Sequence, residues 1–335
     1  MFRFVISIAT AALLLLPICA IAEPIKLKLS FFTSDRSNIY QYSIKPFVEA
    51  VNADAEGLIE IEVYFSGAIS GVQSQQPQLV SDGTADLAII VPGQLPERFH
   101  DNAVMELPGL YRDSREASHI FNRLIDANAL EGYDDYVVIG AFVSGPENIH
   151  SRKPINSVDD LKGLVVRANN KIESEVLEKL GAIPVLLAIN NTTEAISRGN
   201  IDAATFPPSM LFEFGIGRVT SNHFMLALGG APTALVMNRK KFESLPDRAQ
   251  QIIRRYSGDW LSDRSAEGLG ALDVAVNRDL IADQRRIVVT PSRRDLEVSQ
   301  AAFDAVVNGW IASNPRNRDL LTKVRTELLQ LRSKE

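Results

Sequence analysis

The sequence predicts an α/β protein with mainly parallel sheets, and three observations support this class. Short segments of alternating or continuous apolar residues recur along the chain, as at 25–31 and 59–65, and are typical of strands. Segments with helical spacing of apolar residues lie between them, as at 114–129. Neither an internal repeat nor a low-complexity linker interrupts the alternation. Because a helix between two strands returns the chain to the same edge of a sheet, this alternation favours parallel pairing.

The elements divide into two sets near Gly145. In the first set, Gly83 and Pro92 punctuate the third strand. Its predicted strands are 25–31, 59–65, 85–91 and 136–143, and its predicted helices are 47–52, 76–81 and 114–129. In the second set, Ser157 and Asp160 form a capping box that starts a one-turn helix. Its predicted strands are 164–167, 183–187, 203–206, 232–237 and 287–289, and its helices are 171–180, 192–198, 292–312 and 318–331. Short crossing segments must join the two units.

One long helix is expected from Pro246 to about residue 283. The segment after Pro246 contains no proline and is rich in helix formers. Such a helix would be roughly 55 Å long, enough to run across two small domains. Gly268 and Gly270 weaken its middle. Two ordinary helices broken at Gly268 are the alternative.

The composition is that of a soluble globular protein, with 46% hydrophobic and 23% charged residues. A chain of 335 residues suggests two domains. Its formal net charge is −6. Since a nucleic-acid-binding protein usually presents a basic face, no nucleic-acid partner is expected.

The first 22 residues are interpreted as a secretory signal peptide. Arg3 precedes an apolar stretch at 4–16, and Ala20-Ile21-Ala22 provides a small-x-small cleavage site. A transmembrane anchor is the alternative, but the apolar stretch is short for one. A lipoprotein is a second alternative because of Cys19, although the large Ile18 precedes it. We expect cleavage after Ala22, export to the periplasm and loss of the only cysteine.

The motifs of common enzyme classes do not occur in the sequence. The four histidines, His100, His119, His150 and His223, form no H-E-x-x-H or similar metal-binding pair. There is no P-loop and no G-x-S-x-G turn. Gly215-Ile216-Gly217 lacks the third glycine of a dinucleotide-binding fingerprint. No enzymatic activity, metal or cofactor is expected, while a hydrolase that uses two carboxylates stays open because acidic residues are numerous.

A charged residue follows directly on one predicted buried strand. Arg167 comes immediately after Leu164, Val165 and Val166. An arginine is almost never fully buried without a partner, because stranding its charge in a dry interior is costly. Arg167 therefore either reaches the surface or binds an anion.

Several segments occur in the order that one known family shows. They are VYFSGAISG at 63–71, LVSDGTADLAI at 79–89, VMELPGLY at 104–111, KPINSVDDLKGLVVR at 153–167, LGAIPV at 180–185, AISRGNIDAA at 195–204 and LVMNRKKFESLP at 235–246. With these segments the chain resembles the solute-binding component of the tripartite ATP-independent periplasmic (TRAP) transporters, the DctP-like family. The resemblance covers essentially all of the chain after residue 22. DDLKGLVVR, followed by LGAIPV and RGNIDA, is its most specific part.

The resemblance implies a fold, a role and partners. The fold is a two-lobed clamshell, with two α/β lobes hinged around a cleft and a long helix spanning both. We expect lobe I to hold 23–145 plus about 233–270, and lobe II to hold 146–232 plus about 271–335. The implied role is to capture a small organic acid in the periplasm and deliver it to a sodium-coupled permease with a small and a large subunit. A binding subunit of an ATP-driven importer or of a sensor is the alternative.

The resemblance also implies that Arg167 is the carboxylate clamp of the cleft. Open α/β sheets bind ligands beyond the carboxyl ends of their strands, which is where Arg167 lies. Its planar fork matches a carboxylate with two parallel hydrogen bonds. A surface or interlobe salt bridge is the alternative role for Arg167.

Glu147 marks a departure from the family pattern. Relatives that bind sialic acid or C4-dicarboxylates often carry a second arginine where this chain has Glu147. A negative charge there disfavours a second ligand carboxylate, so we expect a monocarboxylate. A solvated loop residue is the alternative reading of Glu147.

The remaining candidates for the cleft are weaker. Phe206 would give the ligand an apolar wall, unless it belongs only to the core. Gln73 opens a helix, and Pro92 and Phe32 follow strands of the first lobe. Asn148 and His150 are further candidates.

Overall fold

The computed structural model describes residues 23–333, so the predicted signal peptide lies outside the described residues. In the described chain, strands alternate with helices, as the sequence predicts. The strands are β1 (Ile25–Phe31), β2 (Ile59–Phe65), β3 (Leu87–Ile90), β4 (Tyr136–Val143), β5 (Asn148–Ser151), β6 (Val165–Ala168), β7 (Ile183–Leu186), β8 (Ala203–Phe206), β9 (Asn222–Phe224), β10 (Pro232–Asn238) and β11 (Ile287–Val289).

The helices cover the faces of the sheets. They are α1 (Lys45–Asp54), α2 (Gln76–Ser81), α3 (Ser114–Asp126), α4 (Lys171–Lys179), α5 (Ile189–Arg198), α6 (Ile216–Val219), α7 (Arg239–Ser244), α8 (Asp247–Arg255), α9 (Asp259–Ala282), α10 (Arg293–Ser313) and α11 (Pro315–Arg332). Short helical turns add Tyr40–Ile44, Gln73–Gln75, Pro92–Gln94, His100–Glu106, Val158–Leu161 and Pro208–Met210. Ser157 and Asp160 form the predicted capping box before the turn at Val158–Leu161.

The strands form two mixed sheets. One has the order β2-β1-β3-β10-β4 and the other β11-β9-β5-β8-β6-β7. In the first sheet only β10 runs against its neighbours, and in the second only β5 does. The expected α/β fold with two lobes is confirmed, with one antiparallel strand in each sheet.

The two antiparallel strands are those that follow a crossing between lobes. The chain leaves β4 and enters β5 through 144–147, and it returns from β9 to β10 through 225–231. All other strands of both sheets have their carboxyl ends at the edge from which these crossings start. A strand that enters a sheet from that edge must run away from it, which makes β5 and β10 antiparallel.

The long helix is shorter than predicted and begins later. The segment from Pro246 breaks at Gly258, which adopts φ +62° between α8 and α9. This break contradicts both sequence-based alternatives, since neither a continuous helix nor a break at Gly268 is observed. Gly268 lies inside α9, where a Cβ atom would come within 2.7 Å of the Tyr42 ring. Close packing, rather than a helix end, therefore explains the glycine.

Helix α9 connects the two lobes, as expected. At about 1.5 Å per residue it is about 36 Å long. It packs against β4 and α3 on one side of the molecule and against β11 and the turn Pro208–Met210 on the other.

The carboxyl-terminal segment divides between the lobes, in contrast to the expected assignment of 271–335 to lobe II. Helix α10 packs against α4, whereas α11 packs against α3. Glu327 of α11 accepts from Arg123 at 3.1 Å, which ties α11 to the first lobe.

Strands β5 and β9 were not predicted from the sequence. Their residues, Asn-Ile-His-Ser and Asn-His-Phe, are too few and too polar to show a strand pattern. They form because their neighbours in the sheet supply the hydrogen bonds.

Apolar packing runs through the lobe junction. Leu27 of β1 and Ala204 of β8 belong to one buried cluster, and Ile90 of β3 and Val166 of β6 belong to another. Among residues 23–333, no helix combines the length and apolarity needed to cross a membrane.

Candidate functional site

A narrow cavity of about 40 Å³ lies where the two lobes meet. Five of the residues predicted for the site contribute to its wall, namely Phe32, Gln73, Glu147, Arg167 and Phe206. A space of this size holds a few water molecules at most, at roughly 10–15 Å³ each. An organic acid must therefore part the two walls to enter.

Arg167 is fully buried, with 2% of its surface exposed. Its Nε donates to the carbonyl of Leu187 at 3.1 Å, Nη1 to the carbonyl of Thr205 at 2.9 Å and Nη2 to Oδ1 of Asn169 at 2.9 Å. All three acceptors are neutral. Since a guanidinium carries five N–H donors, two are left over after these bonds. The surface alternative for Arg167 is wrong.

The ring of Phe206 lies beside the guanidinium. The Cζ atom of Arg167 is 4.7 Å from the ring centroid, a distance at which a cation attracts an aromatic face. Phe206 ends β8, the strand that pairs with β6 in parallel. Parallel pairing brings the ends of the two strands to the same edge, which is why Arg167 and Phe206 meet.

Glu147 lies in the first crossing segment and is buried, with 4% of its surface exposed. Its backbone is held from both sides, because its N–H donates to Gly229 at 2.8 Å and its carbonyl accepts from Leu228 at 3.0 Å. The reading of Glu147 as a solvated loop residue is therefore wrong. The side-chain atom Oε2 has no hydrogen-bond partner.

The charge of Glu147 differs from the sequence-based expectation. Burial raises the pKa of Glu147 well above its ordinary value, and the carboxyl group of Glu173 raises it further, while Arg167 opposes the shift. A carboxyl group whose pKa is raised is protonated to a larger extent at a given pH. In the closed cleft, Glu147 thus carries less negative charge than a solvated glutamate would at the same pH, and its protonated form can donate a hydrogen bond.

Two further glutamates belong to this cluster and were missed by sequence reasoning. Glu173 is buried at the start of α4, where Asn170 caps its N–H at 2.8 Å and its own Oε2 accepts from the N–H of Asn169 at 2.5 Å. Glu106, on the turn His100–Glu106, is also buried, and burial together with Glu173 raises the pKa of Glu106 to about 8. The pattern Asn170-x-x-Glu173 is a helix-start signal that could have placed Glu173 near Arg167.

Three predicted site residues lie away from the cavity wall. Pro92 is buried beside Val91, and it is Val91 that contributes to the wall. Asn148 donates to the carbonyl of Pro146 at 3.0 Å. His150 is completely buried and bonds to His223 and to the carbonyl of Phe206. Both Asn148 and His150 belong to β5, the strand that sequence reasoning did not find.

Other wall residues come from segments without a periodic pattern. Thr233 is the second residue of β10, so it would have been found only by recognising that β10 starts at the cleft. Asn169 lies two residues after Arg167, on the same face of the chain. The remaining wall residues that were not predicted are Thr33, Ser37, Ile39, Val91, Ile189, Pro207, Met210, Phe214 and Ala231.

Hydrogen bonds between the lobes close the cleft. Asn38 of the first lobe donates its N–H to Glu213 at 2.9 Å and its Nδ2 to the carbonyl of Ser209 at 2.6 Å. Gln94 donates to the carbonyl of Asn169 at 2.6 Å. These bonds join neutral groups to one carboxylate and to backbone, so they can break and re-form at modest cost.

One cluster of described residues has the spacing of metal ligands, namely His100, Asp101 and Glu131. Arg316 pairs with Asp101 at 3.1 Å and also with Glu131. An arginine in that position already neutralises both carboxylates, so the cluster is better described as an ion-pair network.

Fold and site together define a two-lobed binding protein with a buried arginine in its cleft. The family model of the bacterial extracellular solute-binding proteins, family 7 (DctP), matches residues 29–313, and the chain belongs to this family. The family resemblance to TRAP solute-binding proteins is thereby confirmed.

Similar solved structures and sequence relatives are also solute-binding proteins. A marine metagenome TRAP solute-binding protein specific for aromatic acid ligands, in complex with 3-hydroxybenzoate, is 25% identical with a TM-score of 0.86, over 92% of this chain and 99% of that one. A TRAP solute-binding protein from Rhodoferax ferrireducens, with copurified benzoate, is 26% identical with a TM-score of 0.86, over 91% of this chain and 98% of that one. The C4-dicarboxylate-binding periplasmic protein DctP of Rhodobacter capsulatus is 24% identical over 71% of this chain and 72% of its own length.

Membership of this family establishes the general role of the chain. The chain is a TRAP periplasmic solute-binding protein for small organic acids, of a kind that works with membrane permease components. Proteins of this family and fold bind solutes and are not enzymes.

Proposed function

We propose that this chain captures an aromatic or otherwise largely apolar monocarboxylate between its lobes. The observation that carries the proposal is Arg167, a buried guanidinium that keeps two N–H groups beyond its three bonds to neutral acceptors. A ligand carboxylate can accept hydrogen bonds from the guanidinium with both of its oxygens, and its negative charge neutralises the buried positive charge of Arg167. Because the wall contains one arginine, it offers one such position.

The rest of the wall fits an apolar ligand body. Most of the other wall side chains are apolar, and they come from both lobes: Phe32, Ile39, Val91, Ile189, Phe206, Pro207, Met210, Phe214 and Ala231. Apolar pockets with a few placed polar groups are typical of small-molecule sites. Two similar solved proteins were crystallised with benzoate or 3-hydroxybenzoate, which are aromatic monocarboxylates. This supports the same ligand class here.

The carboxyl groups beside Arg167 disfavour a second ligand carboxylate. Burial raises the pKa of Glu147, and the neighbouring carboxyl group of Glu173 raises it further, so this space already disfavours negative charge. A second ligand carboxylate would be disfavoured there as well, by about 4 kcal/mol for each unit negative charge about 4 Å away. A protonated Glu147 can instead donate to a hydroxyl or carbonyl oxygen. We therefore propose a ligand with a polar oxygen in addition to its carboxylate.

The experiment is a thermal-shift screen followed by calorimetry. Its panel compares 2-oxo, 2-hydroxy and aromatic monocarboxylates with succinate and malate. A ligand present at 100 times its dissociation constant adds about 2.7 kcal/mol to the free energy of unfolding. We expect an aromatic monocarboxylate to bind most tightly. Tighter binding of succinate or malate than of every monocarboxylate would overturn the ligand class.

The proposal extends to cellular role. The signal peptide is cleaved after Ala22, and the exported protein delivers its acid to a sodium-coupled permease with a small and a large subunit. Ligand exchange follows from hinge motion at the crossing segments 144–147 and 225–231. Mass spectrometry of the exported form should show Glu23 as the first residue. Sodium-dependent uptake by cells that express the permease subunits should require this protein, and uptake in its absence would contradict the role.

A further inference from the structure

Two buried histidines face each other behind the cleft wall. His150 of β5 and His223 of β9 are direct neighbours in the antiparallel register. Their Nδ1 atoms are 2.8 Å apart and both side chains are completely buried. The rings meet edge to face, with centroids 5.0 Å apart. Two nitrogens at this distance require that one donates a hydrogen and the other accepts it.

The other contacts of the pair decide which nitrogen donates. His150 Nε2 lies 3.1 Å from the carbonyl oxygen of Phe206, which can only accept, so His150 carries its hydrogen on Nε2. Its Nδ1 must then accept from His223, which carries its hydrogen on Nδ1. The free Nε2 of His223 accepts in turn from Nη1 of Arg286 at 3.3 Å. The three hydrogen bonds therefore run in one direction, from Arg286 to His223, from His223 to His150 and from His150 to the carbonyl of Phe206.

The first donor in this series of hydrogen bonds is Arg286, a cation that several contacts hold in place. Arg286 donates to Asp283 at 3.2 Å, to the carbonyl of Thr220 at 3.1 Å and to that of Gly217 at 2.7 Å. Asp283 is the carboxylate that balances its charge. Burial, with a smaller contribution from the Arg286 cation, lowers the pKa of His150 to about 4 and that of His223 to about 3. A second proton on either ring would also place two N–H groups against each other at 2.8 Å.

The series ends at the strand that holds the clamp. Pairing between β6 and β8 stops at Arg167 and Ala204. Beyond that point, the carbonyl of Thr205 accepts from Arg167, and the carbonyl of Phe206 accepts from His150. The end of β8 therefore supports the guanidinium on one side and receives a hydrogen bond from the histidine pair on the other.

We propose that Arg286, His223 and His150 form a hydrogen-bond relay that positions the end of β8, and through it the guanidinium of Arg167, for carboxylate binding. The inference rests on the proposed function, because it assigns positioning residues to the same site. If the buried histidine pair only fills space, a side chain that donates from the position of Nδ1 of His150 should affect binding as much as one that donates from the position of Nε2. If the relay positions β8, only a donor at the position of Nε2 should preserve binding.

The test uses two amide substitutions at one position in the full mature protein. In His150→Gln, the side-chain amide nitrogen lies near the place of Nε2 and can still donate to the Phe206 carbonyl. In His150→Asn, the amide reaches only the place of Nδ1, so that carbonyl loses its donor. With benzoate as the probe, we expect the dissociation constant of His150→Gln to stay within about threefold of wild type and that of His150→Asn to rise at least about tenfold. Equal effects of the two substitutions would overturn the relay.

Nuclear magnetic resonance supplies a readout that does not depend on the ligand. Nitrogen-15 spectra at neutral pH should show His150 with hydrogen on Nε2 and His223 with hydrogen on Nδ1, both neutral. Any other pair of tautomers overturns the relay. Exchange of the Arg167 Nε–H should be slow in wild type and in His150→Gln and faster in His150→Asn; unchanged exchange in His150→Asn also overturns it. If the wild type binds no acid, the proposed function fails, while the tautomers and the exchange rates still decide the relay.

Discussion

The two walls of the cleft differ in the kind of side chain that they present. The first lobe contributes uncharged residues, such as Phe32, Gln73 and Thr233. The second lobe and its crossing segment contribute the ionisable residues of the wall, Arg167 and Glu147. Under the proposed function, one wall recognises the charge of the ligand, whereas the other covers the ligand and excludes water.

The difference has a physical reason. A buried charge is tolerated only where its donors and acceptors are held in place. Arg167 receives that support from three neutral acceptors within its own lobe, so the support persists when the lobes separate. A covering wall needs shape alone, and it can move without disturbing the charge. The predictions below test this division of roles, from the largest expected effect to the smallest.

Substitution of Arg167 should have the largest effect on ligand binding, because it removes the guanidinium that we propose binds the ligand carboxylate. We expect Arg167→Ala to weaken carboxylate binding by at least about 2–5 kcal/mol, measured by calorimetry. Arg167→Lys should also bind poorly, since an ammonium group cannot reproduce the fork. The matched control is Arg198→Ala, an exposed arginine of the same lobe. Binding by either Arg167 variant within threefold of wild type would show that Arg167 is not the clamp.

The pH dependence tests the cluster that joins the lobes. Glu106 is buried with its pKa raised to about 8, so the folded, closed protein holds more protons than the unfolded chain between the ordinary glutamate value and about pH 8. The free energy of unfolding should therefore fall as pH rises through that window, by up to about 1.4 kcal/mol per pH unit. Chemical denaturation at several pH values measures this slope.

The control for the pH prediction is Glu106→Gln, which keeps the shape of the side chain and removes the titration. This variant should show a flatter dependence of unfolding free energy on pH over the same window. The same flattening should occur for ligand affinity, because closure brings Glu106 of the first lobe towards Glu173 of the second. An unchanged slope in Glu106→Gln would mean that Glu106 is not the titrating group.

Matched aromatic substitutions compare the two walls directly. Phe206→Leu removes the ring beside the guanidinium and should weaken binding by about 0.5–2 kcal/mol beyond the loss of apolar area. Phe32→Leu removes a ring from the covering wall and should cost less, because no cation lies against it. Isothermal titration of both variants with one aromatic acid decides the order. A larger loss from Phe32→Leu would reverse the assigned roles of the walls.

Loss of an interlobe bond should have the smallest effect. Asn38→Ala removes the side-chain bond to the carbonyl of Ser209, which contributes about 0.5–1.5 kcal/mol. Since the bond belongs to the closed form, the ligand should dissociate faster while the chemical selectivity stays the same. Stopped-flow kinetics measure the rate, with the exposed Asn200→Ala as control. A changed order of preferred acids would assign Asn38 to recognition rather than closure.

The sequence by itself determined the fold class, most elements and the position of the buried arginine that we propose as the clamp. Alternation of apolar residues reports which face of a strand is buried, and an arginine directly after a buried run must find a partner. Both signals are local, so the strand before Arg167 could be predicted without knowing the fold. The ordered family segments added the two lobes and the cleft.

Tertiary structure alone decided the features that depend on distant neighbours. Strands β5 and β9 exist because of their sheet partners, and this pairing moves His150 from the predicted cleft wall to the second layer behind Phe206. Glu106 and Glu173 are distant in sequence, and the tertiary structure both buries Glu106 and places it near Glu173, which together raise the pKa of Glu106. Protonation and strand direction depend on the environment that other segments create, so a local sequence pattern cannot predict them.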